Sequence, residues 1–174
     1  ITATQFSGLS STQVGALSGG QLNALSTTRI SALAPSGQLQ GITSTQLGAL
    51  NEAHFLALSS SQIASLTTTK VVGFTPTQFA AITTTQLTGL NSTQIGSLKT
   101  VVLNALTPTN FVSLTTTQFQ GVSATQIAAL TTTNFNVLNS TQIGNLTTTQ
   151  VAALNADELL ALTAGSGEVA VFFA

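Results

Sequence analysis

The sequence predicts an all-α solenoid of about 20 very short helices, one for each eight-residue repeat. Three observations carry this reading. First, Leu138–Leu154 states one eight-residue pattern twice, and the rest of the chain repeats it: a Thr, Ser or Asn, two small polar residues, Gln, a large apolar residue, two small residues, Leu. Second, the pattern holds a helix start signal. With Thr147 as N-cap, Gln150 sits at the third helical position, which is the capping-box spacing, and Leu146 and Val151 are placed for a hydrophobic staple. Third, a period of eight suits neither a long helix nor a plain strand. At about 100° per residue, eight residues overshoot two turns by about 80°, so an apolar stripe would spiral around the rod. On a strand, Ile143 and Leu146 would point to opposite faces. Helices this short are unstable alone in water, so neighbouring units must stack and share a core.

In chain order, units 1 to 4 begin at Thr2, Ser10, Ser18 and Ser26. Unit 5 starts at Ala34 and needs nine residues to reach Ile42, a register slip that calls for a bulged turn. Units 6 to 20 then follow without interruption, from Thr43 to Asn155 at eight-residue spacing. Pro76 and Pro108 directly follow the capping residues Thr75 and Thr107, at the first helical position, where proline's missing N–H costs nothing. Ser59, Asn91, Ser123, Asn139 and Asn155 are preferred cap types, and Asn155 with Glu158 is the acidic version of the box. Unit 13, Lys99–Leu106, lacks both the cap residue and the Gln, which marks it as a seam or contact point. The large apolar residues at positions 5 and 8 of each unit are the expected core. The small residues between them would let helices approach closely, and Thr, Ser and Gln are expected on the outside.

The solenoid is assigned to residues 1–162 and a separate tail to 163–174. In the tail, Thr163–Gly167 reads as a flexible link, and the apolar, partly alternating run from Glu168 reads as a strand or packing peg. A lone strand seeks a partner. Val169, Val171, Phe172 and Phe173 are therefore the candidate assembly contacts, either folded over the last unit or inserted into a neighbouring subunit. A β-solenoid is the structural runner-up, since Thr, Val and Ile favour strands.

Composition narrows the function. Only 4% of the 174 residues are charged, far below the usual quarter, and the net charge is −1. Arg29, Lys70 and Lys99 are the only basic residues besides His54, too few for a nucleic-acid-binding patch. The chain has no cysteine, hence no disulfide or thiolate metal site, and no apolar run long enough to span a membrane. It begins at Ile1 without a signal-peptide pattern and is read as a processed protein or a piece of a longer one.

Chemistry-bearing residues are few, and the repeat explains each of them. His54 fills the Gln slot of its unit, no nucleophile motif stands near it, and Glu52 with His54 makes only a two-ligand metal set. Thr67–Lys70 imitates an S/T-x-x-K motif, but Lys70 merely replaces Gln. Asp157 and Glu158 are adjacent, so they diverge on a helix and serve its dipole. Calcium-binding repeats need carboxylates that the chain lacks. Asn91, Asn139 and Asn145 match glycosylation sequons, of which Asn91 and Asn139 are already explained as caps. The expectation is no enzyme, no cofactor and no metal.

The run Ala129–Phe135 and the phrases Leu146–Leu154 and Leu138–Gly144 resemble the octapeptide arrays of very large secreted bacterial surface proteins. The resemblance covers about residues 2–162. It implies an extracellular or cell-surface location and a structural role, and it supplies no functional residues. The expected function is a structural subunit or segment of an extracellular filament, sheath or adhesin stalk that self-associates into a homopolymer. The alternative is a binding module that uses regular Thr rows, such as Thr84 and Thr148, to contact ice, polysaccharide or glycan.

Overall fold

The computed structural model describes residues 3–165, with side chains from residue 4 to residue 162. Among the described residues the chain forms 19 α-helices and one 3-10 turn, and no strand. The helices run from four residues (Thr68–Val71) to ten (Ala156–Gly165). The fold is the all-α repeat solenoid, and the β-solenoid is set aside.

Each helix is switched on by its cap. In eleven helices the N-cap side chain accepts from the backbone N–H three residues on, and the Gln at that position returns a bond to the cap's own N–H. Pro76 and Pro108 open their helices as expected. The helices end without a left-handed residue, since no residue has positive φ. Instead position 8 swings into extended backbone, as at Leu50 (φ −61°, ψ 130°) and Leu98 (φ −65°, ψ 145°). The following N-cap is extended too. Two extended residues between short helices re-aim the chain at every octad.

These re-aimed helices wind into a tight superhelix. A helix packs on the one three units later: Ser44–Ala49 on Thr68–Val71, Glu52–Leu56 on Pro76–Ala81, Ser92–Ser97 on Thr116–Gln120. The position-4 Gln side chain reaches carbonyls four units earlier, as Gln78 does to Leu47 and Leu50. One superhelical turn therefore holds between three and four units. Glycine permits the closest approaches: a Cβ on Gly73 would lie 2.0 Å from the Ser44 carbonyl oxygen, and one on Gly121 would lie 2.2 Å from that of Ser92.

Positions 5 and 8 build one continuous core, in which Phe55, Ile63, Phe79, Ile95, Phe111, Phe119 and Ile127 are fully buried. Phe74 links two turns of it, with its ring 5.4 Å from Phe55 and 5.5 Å from Phe79. Unit 5 absorbs its extra residue before Gln38: a turn leads into the 3-10 segment Gln38–Gly41, and Leu39 and Ile42 regain the core. Thr and Ser cover much of the outside, as at the exposed Thr83, Thr84 and Thr85.

Two expectations are corrected. Glutamine is not an outside residue: Gln62, Gln78, Gln94 and Gln126 are at most 2% exposed. Thr163–Gly165 is not a flexible link, because the last helix continues through Gly165. Its Glu-Leu-Leu-Ala-Leu run consists of strong helix formers, where other units carry Gly or β-branched residues. The candidate contacts Val169, Val171, Phe172 and Phe173 lie outside the described residues.

Candidate functional site

The feature that organises the molecule is the column of position-4 side chains. Gln94 is typical. Its Oε1 accepts from the N–H of its own N-cap, Asn91, at 2.8 Å, and its Nε2 donates to Ile63 O at 3.1 Å and Leu66 O at 2.7 Å. One amide thus starts its own helix and caps the end of the helix one superhelical turn below. Both N–H bonds of the amide are used, so the buried side chain is satisfied. Gln78, Gln86, Gln118 and Gln126 repeat the arrangement with the same 31- and 28-residue separations. Gln38 makes it across the register slip, reaching Phe6 O and Leu9 O.

Departures from Gln show which of the two jobs matters more. His54 keeps the downward bond, with Nε2 2.8 Å from Leu25 O, while Nδ1 lies 2.6 Å from Asn51 Oδ1. It is a structural residue, as its place in the repeat predicts. Lys70 donates to Gln40 O at 2.7 Å and reaches Gln40 Oε1 at 3.2 Å, but its cap Thr67 receives no bond from the backbone three residues on. Burial pulls the Lys70 ammonium below the ordinary lysine value. Asn110 donates to Ile82 O, and Asn134 to Asn104 O.

A second device repairs two of these boxes. The N–H of Asn51 bonds Asn23 Oδ1 at 2.9 Å, and that of Thr131 bonds Asn104 Oδ1 at 3.1 Å. Both Asn residues sit at position 6, four units earlier, and each also donates Nδ2 to the next turn, to Ala49 O and Ala129 O respectively. They stand beneath two units, those of His54 and Asn134, whose position-4 side chains do not return to the cap.

Two units break the column. In unit 13, Val102 fills the slot at 1% exposure and the Lys99 cap makes no side-chain bond, which gives the weak unit of the sequence a structural form. In unit 20, Glu158 completes its box with Asn155, at 2.9 and 3.0 Å, but its Oε1 is buried with no hydrogen-bond partner. By register this oxygen stands where Gln Nε2 would donate to Ile127 and Leu130. Asp157 beside it is exposed, so the two acids do diverge.

The column could have been found in the sequence. A capping box accepts Glu as readily as Gln. Yet position 4 holds Gln, Arg, His, Lys or Asn in every unit except those of Val102 and Glu158. All five carry N–H donors, which a capping role alone does not require.

Elsewhere the surface offers little chemistry. A groove of about 460 Å³ between Ser92–Ser97 and Thr116–Gln120 is lined by hydroxyls, glycines and Gln120. Among the described residues no three His, Cys, Asp or Glu side chains group to hold a metal, and no helix is long and apolar enough to cross a membrane. Asn91 and Asn139 cap their helices, and Asn145 bonds Thr141 O at 2.8 Å. No family model matches the chain, and no curated protein matches it significantly.

Proposed function

We propose that the protein is a structural repeat rod that forms, or contributes to, an extracellular bacterial filament, sheath or adhesin stalk by self-association, without enzymatic activity. The observation that carries this reading is the amide column itself. It locks each turn to the next by the same two bonds for most of the length of the described chain. Such a scaffold is rigid along its axis and has a nearly uncharged surface. A net charge of −1 gives little electrostatic repulsion between copies. Negative-stain electron microscopy of the purified chain should show fibres or ordered arrays. A monodisperse monomer in sedimentation at high concentration would remove the reading.

A second reading draws on the exposed hydroxyl rows, such as Thr83, Thr84, Thr85, Thr147, Thr148 and Thr149. They would let the rod contact ice, polysaccharide or glycan. Thermal hysteresis or a glycan-array signal, lost in Thr84→Lys and Thr148→Lys, would support it. Equal signals from wild type and variants would dismiss it.

A further inference from the structure

We infer that copies of this chain join head to tail, with units 1–4 of one copy resting on units 17–20 of the next and continuing the amide column across the joint. The inference rests on the filament reading and names its interface.

The two ends of the described solenoid expose opposite halves of the same contact. At the first end, position 5 is already covered, with Val14, Leu22 and Ile30 fully buried. Position 4 is not: Gln13 and Gln21 are exposed, and Arg29 and the position-8 residues Leu9, Leu17 and Leu25 are only partly covered. Gln13 and Gln21 accept from their caps through Oε1, but their Nε2 groups donate to nothing among the described residues. At the other end the pattern is reversed. Gln142 and Gln150 are buried, while Val151 is 41% and Leu159 39% exposed. The position-8 carbonyls of Leu138, Leu146 and Leu154 receive no hydrogen bond among the described residues. One end therefore presents unused donors, and the other presents unused acceptors beside bare apolar side chains.

Within the chain, position 4 of one unit meets the carbonyls of the fourth unit before it. Applied across a joint, that register sets Gln13 of one copy on Ile143 and Leu146 of the other, and Gln21 on Val151 and Leu154. Arg29 falls on unit 20, which carries Asp157 and Glu158, two of the chain's four acids. Charge and hydrogen bonding agree on one pairing. A contact between two different faces of the same chain does not close on itself, so it propagates as an open filament.

The test uses the full 174-residue chain and two blocked variants. Gln13→Glu with Gln21→Glu keeps the capping boxes, as Glu158 does with Asn155, but removes the downward donors. Val151→Glu puts a charge on the exposed apolar face of the other end. All three positions are exposed, and circular dichroism should show wild-type helix content. The wild type should form fibres, and each variant alone should remain monomeric in sedimentation. Mixing the variants should yield one-to-one dimers and nothing longer, because each retains one good end. Fibres from either variant alone would overturn head-to-tail joining and leave the filament reading standing. A monomeric wild type would overturn both. A chain that associates only after removal of residues 166–174 would also overturn the proposal, by making the tail the occupant of the second face.

Discussion

Units 12 and 13 are neighbours in the chain and differ at one decisive position. In unit 12, Gln94 ties its helix to Ile63 and Leu66 below and to its own cap. In unit 13, Val102 occupies the equivalent slot with a side chain that can do neither, yet it is as well buried and the superhelix continues. The comparison separates two contributions. Apolar packing at positions 5 and 8 is enough to hold a unit in the stack. The amide satisfies backbone groups that packing alone leaves without partners. A unit with a weak cap and no amide is tolerated between strong neighbours, because each unit is held from both sides.

The sharpest way to break the comparison is Gln94→Glu. The capping box survives, but an acceptor replaces the donor facing two buried carbonyls, so stability should fall by about 2–4 kcal/mol at neutral pH, read from the urea unfolding midpoint. A wild-type midpoint would mean that the downward bonds contribute nothing. Gly121→Ala should cost less, about 1–3 kcal/mol, because its Cβ would stand 2.2 Å from the Ser92 carbonyl oxygen and the two turns would have to part. An unchanged melting temperature would show that the turns are loosely packed there. The smallest effect runs the other way. Glu158→Gln should supply the missing donor to Ile127 and Leu130 and raise stability by about 1–2 kcal/mol, seen as slower amide exchange in Ala156–Gly165. Faster exchange would show that Oε1 has a favourable partner that Gln cannot replace.

Much of this molecule was legible in its residues. Thr147 with Gln150 marked a helix start, Pro76 and Pro108 confirmed the phase, and the nine residues from Ala34 to Ile42 marked the slip. His54, Lys70 and Glu158 were recognised as occupants of the Gln slot, but the slot was credited with capping only. Its downward bonds were missed, and Gln was consequently placed outside. The last helix was ended too early at Leu162, since the octad predicted a stop where Leu160 and Ala161 favour continuation.

The sequence by itself determined where each helix starts, which two residues of each octad face the core, and that the units must stack. Those features depend on partners within about one turn of helix, and an eight-residue pattern states such partners directly. Only the tertiary structure decided that a turn holds between three and four units, that Gln94 reaches Ile63 and Leu66, and that Asn23 and Asn104 serve boxes in the next turn. Those partners lie 27 to 31 residues away. Every octad looks alike along the chain, so nothing in the repeat says which later unit comes to rest above which. The small pivot at each pair of extended residues sets that, summed over a full turn.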